Sequence, residues 1–130
     1  MNAERHGVRD RILTVKGDLL RHLRSSSLDF IIANLPYIGE DEARTLSTEV
    51  IGYEPRRALI GGPKGNELFA PLLDDAMRVL KMGGCIFMET GSTQAVAVHD
   101  QIQKISPSWK MIRIHKDLAG LDRFVTAWVG

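Results

Sequence analysis

Four consecutive residues, Asn34-Leu35-Pro36-Tyr37, are the part of this chain whose types and spacing point most directly to chemistry. Asn34 follows the apolar run Leu28 to Ala33, at the carboxyl end of a strand, where sheets of this kind meet their ligands. Pro36 has no N–H and holds the residue before it extended, which points the Leu35 carbonyl in one direction. Tyr37 offers a flat ring against which a planar group stacks. Together these groups suit a planar NH₂, whose two hydrogens would be accepted by Asn34 Oδ1 and the Leu35 carbonyl. Two acceptors return electron density to a nitrogen whose lone pair is delocalised and aim it at an electrophile. That is catalysis by positioning and electrostatics rather than by proton abstraction. A plainer reading stands beside it, since Asn and Pro are common turn formers and the tetrad also reads as a turn.

The elements that must position these residues alternate between strand and helix patterns. Asn2 to His6 is a short helical stretch ending at Gly7. Ile12 to Val15 reads as a strand, Asp18 to Leu23 as one helical turn, and Ser25 to Ser27 as a loop. Leu28 to Ala33 is nearly continuously apolar, as expected of a parallel strand covered on both faces. Residues 38 to 65, rich in Gly and Pro, read as a long irregular loop of the functional kind. Leu68, Phe69, Leu72, Leu73, Ala76, Met77 and Leu80 recur at helical spacing, with Asp74, Asp75, Arg78 and Lys81 facing away and Pro71 tolerated in the first turn. Gly83 and Gly84 are read as its cap, followed by a strand from Cys85 to Glu89. A helix from Thr93 to Ile105 is closed by Pro107, and strands Trp109 to His115 and Arg123 to Val129 follow. Their connection is too short for a helical crossover, so the last pair is expected to be an antiparallel hairpin on an otherwise parallel α/β sheet.

Composition narrows the function classes. The 130 residues make one domain, and an apolar fraction of 44% with 25% charged residues is that of a globular protein. Seventeen basic against 16 acidic residues give a net charge of +1, which argues against a partner gripped through its phosphate backbone. The single Cys85 excludes an internal disulfide framework, and reads as a small core hydrophobe. His6, His22, His99 and His115 lack ligand spacing, so no metal site is expected. No apolar run approaches the ~20 residues that span a bilayer, and the polar N-terminus is no secretory signal; a soluble cytoplasmic protein is expected. Glu89 is read as a salt-bridged carboxylate at the sheet rim, and Trp109 and Trp128 as packing within the terminal hairpin. Asp18 has two readings, a turn cap or a ligand contact.

Strand-Asn34-Leu35-Pro36-Tyr37 resembles the Asn/Asp-Pro-Pro-Tyr signature of S-adenosylmethionine-dependent methyltransferases that alkylate planar amino nitrogens. Tyr53-Glu54-Pro55-Arg56, Ala58-Leu59, Gly61-Gly62, Lys64-Gly65, Leu80 to Gly84, Glu89-Thr90-Gly91 with Gln94, and Lys116 to Gly120 with Asp122-Arg123 narrow the likeness. In order and spacing, nearly the whole chain resembles the protein-(glutamine-N5) methyltransferase family of the HemK/PrmC type. The resemblance implies Asn34, Leu35, Pro36 and Tyr37 as the residues binding and orienting a glutamine amide, with Asn34, Pro36 and Tyr37 the catalytic positions. It places Asp18, Leu19 and Asn34 on the cofactor, Asp18 on its adenine side. The implied substrate is the Gly-Gly-Gln loop of a peptide-chain release factor, or a ribosomal protein for a close relative. Leu35 departs from the usual Pro, but only its backbone carbonyl is needed, and Leu occurs there in RNA adenine dimethylases.

The same resemblance implies a class I, Rossmann-like sheet lacking its first two strands, because no glycine-rich strand-to-helix turn precedes Ile12. Residues 1–130 would then be one truncated domain, the C-terminal part of a catalytic domain, with weak or no cofactor affinity in this chain alone. The strand at Leu28 would be left with an open apolar edge, to be satisfied by a second copy, a swapped strand or a rearranged Ile12–Val15 segment. Two alternatives stand: a nucleic-acid adenine-N6 methyltransferase, against which charge and the Tyr53 segment weigh, and a non-catalytic remnant that self-associates or binds a partner.

Overall fold

The computed structural model describes residues 2–45 and 53–130. Along the chain run α1 (Asn2–Arg5), a 3-10 turn (Arg9–Arg11), β1 (Leu28–Asn34), β2 (Ile38–Gly39), α2 (Glu40–Ala43), α3 (Arg56–Leu59), β3 (Ile60–Gly62), α4 (Phe69–Val79), β4 (Leu80–Glu89), α5 (Ala95–Ile105), β5 (Trp109–Lys116) and β6 (Asp122–Val129). Four strands form the main sheet in the order β1-β4-β6-β5. β1 pairs with β4 in parallel, and β6 pairs antiparallel with both β4 and β5. The mixed α/β sheet and its terminal antiparallel hairpin match the expectation from sequence.

The apolar spacing of α4 puts Phe69, Leu72, Leu73, Ala76 and Val79 on one buried face. Pro71 falls in the first turn, where its missing N–H costs the helix no bond. With Val98 and Ile102 of α5, this face packs on the sheet residues Ile31, Ile86, Met88, Val125 and Ala127. Each of these Val, Leu, Ile, Phe and Met side chains contributes about 1.5–3 kcal/mol relative to exposure, the alanines less.

The opposite sheet face has a different character. Phe30 and Phe87 lie with ring centroids 4.9 Å apart, and Phe87 and Trp128 6.2 Å apart. Trp128 therefore belongs to this row, whereas Trp109 is buried in the core on the other side; the two do not pack on each other within the hairpin. β1 was expected to be covered on both faces. Instead Ile31 is 6% exposed while Phe30 and Ile32 are 50% and 78% exposed. The reason is that α4 and α5 both pack on the Ile31 side, which leaves the face of Phe30 and Ile32 without a covering helix among the described residues.

Four further expectations are corrected. Ile12 is extended, but Ile12–Val15 forms no strand and Leu13 is 88% exposed. β-branched residues supply propensity, yet a strand requires a ladder partner, and no described strand lies beside this one. Helix α4 ends at Val79 rather than at a Gly83–Gly84 cap, and Leu80 passes straight into β4. Its last carbonyls need no glycine cap because the amides of Ser26 and Ser27 donate to Arg78 O and Val79 O at 2.9 and 2.8 Å. Arg78 does not face away. Its guanidinium donates to the carbonyls of Leu23 at 2.6 Å and Leu20 at 2.9 Å and reaches Asp75 Oδ1 at 3.3 Å, so it fastens the Asp18–Leu23 segment along α4. That segment is a series of turns rather than a helical turn.

The described part of residues 38–65 is more ordered than an irregular loop. β2 and β3 pair in parallel, Ile38 opposite Ile60, flanked by the short helices α2 and α3. Gly52 lies outside the described residues.

Candidate active site

Register builds the site. β1 and β4 run parallel and end together, so that Asn34 stands opposite Glu89. The chain then turns through Leu35, Pro36 and Tyr37, and these residues with Asn34, Ile38, Ala58 and Leu59 line a cavity of about 150 Å³. Asn34 is exposed at its mouth, and its carboxamide has no hydrogen-bond partner among the described residues. Two acceptor lone pairs on Oδ1 are therefore free for a ligand.

The Tyr37 ring is anchored rather than loose. Its hydroxyl donates to Glu89 Oε1 at 3.1 Å. Burial pushes the phenol above its usual 10.0, and the Glu89 carboxylate raises it further by accepting the bond and by its charge. Glu89 is thus the acceptor for Tyr37, and no ion pair of Glu89 occurs among the described residues, contrary to the salt-bridged rim expected. Replacing Tyr37 by Phe is expected to cost about 1 kcal/mol in urea denaturation, the net worth of one such bond.

Arg123 of β6 closes this end. Its Nε donates to Asp117 Oδ2 at 3.2 Å and its Nη1 to the Thr90 carbonyl at 3.4 Å. Asp117 itself accepts the amides of Ala119 and Leu121 at 2.9 and 3.0 Å, which builds the connection between β5 and β6. The Leu121 amide first, and then Arg123, hold its carboxyl below the usual 3.8. A depressed folded-state value stabilises the fold above the unfolded pKa, and that contribution disappears as pH falls through the folded value. Asp117→Asn is therefore expected to flatten the acid limb of a stability-versus-pH curve below about pH 4 while leaving its shape above pH 5 unchanged.

Behind the turn the backbone packs too closely for side chains. A Cβ on Gly61 would lie 2.2 Å from the Pro36 carbonyl oxygen, and one on Gly65 2.1 Å from that of Tyr37. Gln94, immediately before α5, accepts the Gly91 N–H on Oε1 at 3.1 Å and donates from Nε2 to the carbonyls of Tyr37 at 2.8 Å and Lys64 at 3.4 Å.

The structure therefore gathers Asn34, Leu35, Pro36 and Tyr37, but sets Asp18 and Leu19 elsewhere. Asp18 is exposed and pairs with Arg21 at 2.9 Å. Leu19 lines a hollow of about 430 Å³ with Leu13, Val15, Gly17, His22 and Leu23, which shares no lining residue with the first cavity. Ala58, Leu59 and the role of Gln94 were not singled out from the residues themselves. The Gly91-x-x-Gln94 spacing was an available signal, since a Gln three residues on can reach back to a backbone N–H. Among the described residues no cluster of three or more His, Cys, Asp or Glu could hold a metal, and no helix is long and apolar enough to cross a membrane.

No protein-family model matches the chain. Over 127 residues it is 44% identical to a release factor glutamine methyltransferase of Nitratidesulfovibrio vulgaris, a match covering 97% of this chain and 43% of the relative. It is 35% identical to the enzyme of that name from Clostridium botulinum over 128 residues, 97% of this chain and 44% of the relative. For the Caulobacter vibrioides protein of the same name the identity is 36% over 124 residues, 95% of this chain and 42% of the relative. By sequence, this chain is similar to release factor glutamine methyltransferases along nearly its whole length. It spans less than half the length of these curated relatives.

Proposed function

We propose that this chain serves in the S-adenosylmethionine-dependent methylation of a glutamine side-chain amide nitrogen in the Gly-Gly-Gln loop of a peptide-chain release factor. The observation that carries this reading is the unpartnered Asn34 carboxamide at the carboxyl end of β1, lining one cavity with Leu35, Pro36 and Tyr37. The strand order, a parallel pair continued by an antiparallel hairpin, supports assignment to one end of a class I, Rossmann-like methyltransferase sheet.

In this reading Asn34 Oδ1 and the Leu35 carbonyl accept the two hydrogens of the substrate amide, turning its nitrogen lone pair toward the incoming methyl group. The Tyr37 ring, fixed through Glu89, bounds the amide plane, and Pro36 keeps the Leu35 carbonyl extended. The nitrogen loses a proton to solvent on the way to product. The hollow at Leu19 offers a nucleoside both apolar side chains, Leu13, Val15 and Leu23, and the polar His22, and Asp18 stands in sequence between two of its lining residues, Gly17 and Leu19. Asp18 and Leu19 would hold the adenine side of S-adenosylmethionine there, with Asn34 toward its reactive end. When bound, that cofactor supplies an electrophilic methyl group and departs as S-adenosylhomocysteine.

Titration with S-adenosylmethionine, followed by Trp fluorescence or calorimetry, tests the cofactor half of the reading; absence of binding at millimolar ligand overturns it for this chain. Methyl transfer to a Gly-Gly-Gln release-factor domain, and not to an oligonucleotide, is the expected acceptor preference.

A second reading concerns association. Among the described residues, β1 has a free edge and the apolar Ile12–Val15 segment has no ladder partner, so each supplies what the other lacks. A second copy of the chain pairing there would show as a dimer in light scattering, lost on Ile32→Lys; a clean monomer at high concentration counts against it.

A further inference from the structure

Behind the tetrad, one side chain joins three separate segments of the chain. A carboxamide offers two donor hydrogens and two acceptor lone pairs. Gln94 spends both donor contacts on backbone carbonyls of other segments, Tyr37 at the end of the tetrad and Lys64 in the glycine-rich loop, 57 and 30 residues away in sequence. Its oxygen accepts the N–H of Gly91, just beyond β4. One planar group therefore ties together the turn after β1, the loop before α4 and the turn after β4.

No backbone group could replace it cheaply. Gly65, at φ +82°, brings its Cα so near the Tyr37 carbonyl that a Cβ there would lie 2.1 Å from the oxygen, so the carbonyl is confined on one side by Gly65 and held on the other by Gln94 Nε2. The Tyr37 carbonyl belongs to the peptide that leaves the tetrad, three residues from Asn34, so holding it fixes the exit of the Asn34–Tyr37 turn.

We infer that Gln94 is a positioning residue for this site: its carboxamide sets the orientation of the Asn34–Tyr37 turn and thereby the aim of Asn34 Oδ1 and the Leu35 carbonyl at the acceptor nitrogen. The inference rests on the function proposed above for the chemistry, and on the hydrogen bonds alone for the geometry.

Gln94→Glu separates this role from a merely local one. The variant keeps an acceptor for the Gly91 N–H, but at neutral pH it presents a carboxylate to two carbonyl oxygens. Those neighbours and partial burial raise the carboxyl above the ordinary ~4.3, and its protonated form regains one donor hydrogen. Methyl transfer to a Gly-Gly-Gln peptide is expected to fall at least tenfold at pH 8 in Gln94→Glu, chiefly in kcat, and to recover as pH drops toward about 5.5. Gln94→Ala is expected to lose activity at every pH. Tyr37, Glu89, Lys64, Glu67 and Arg123 titrate or carry charge around the same segments and are present in both proteins, so the unsubstituted chain's own profile is the control.

A Gln94→Glu profile that overlays the unsubstituted one overturns the inference, as does an equal loss at all pH values. Should the unsubstituted chain itself transfer no methyl group, it is the proposed function that falls. The positioning role is then decided by NMR of the same variant: the Tyr37 carbonyl carbon and Asn34 side-chain amide resonances must shift at pH 8 and return at pH 5.5. Resonances that stay unmoved refute it.

Discussion

Asn34→Ala is expected to lower methyl transfer to a Gly-Gly-Gln peptide by about 10²–10³-fold, the scale seen when one preorganised polar group at a reacting centre is removed. The fold should be untouched. Asn34 is exposed and bonds to nothing among the described residues, so its truncation is expected to stay within about 0.5 kcal/mol in denaturant unfolding. The loss should fall on kcat more than on KM, because the two accepted hydrogens orient the nitrogen rather than supply most of its binding. Asn34→Asp is the discriminating companion. A carboxylate still accepts a hydrogen from the amide, so this variant should keep far more activity than alanine. Equal activity in Asn34→Ala and the unsubstituted chain would remove Asn34 from the chemistry.

The second large effect is structural. Gly65→Ala is expected to destabilise the fold by roughly 2–4 kcal/mol, from a strained backbone and a collision together. Gly65 has φ +82°, and its Cβ would meet Tyr37 O at 2.1 Å and Gly39 N at 2.8 Å. These are backbone atoms and cannot swing aside as a side-chain tip can. Gly83 provides the control, with a similar φ of +78° and no atom within 4 Å of a built Cβ. Gly83→Ala should therefore show the conformational part alone, about 1–2 kcal/mol. Midpoints in urea for the two variants measure the difference directly. If they coincide, the loop around Tyr37 yields, and the close packing behind the tetrad is not what holds it.

The helix α4 was legible because its five buried residues repeat at helical spacing and nothing in the tertiary structure opposes that pattern. The hairpin of β5 and β6 was legible for a topological reason: its short connection leaves no room for a crossover. Arg78 shows the opposite case. Its long charged side chain at a polar helix position reads as solvated, and only the return of Leu20 and Leu23 along α4, more than fifty residues away, turns it into a clamp on two carbonyls. Glu89 was placed correctly at the strand end, but its partner is a phenol rather than a cation, because Tyr37 arrives from the neighbouring strand's turn.

Sequence alone determined which groups could meet an acceptor nitrogen: a polar Asn at the end of an apolar strand, a carbonyl stiffened by the following proline, and an aromatic ring next in line. Those are local properties, decided by covalent geometry and by residues adjacent in the chain. The tertiary structure decided where they point. The register that ends β1 beside β4, the Tyr37–Glu89 bond and the Gln94 contacts with Tyr37 and Lys64 join residues 30 to 57 positions apart or paired across strands. It also decided that, among the described residues, Ile12–Val15 has no partner while β1 keeps a free edge. Strand pairing and side-chain bridging depend on which distant segment is brought near, and no local pattern encodes that proximity.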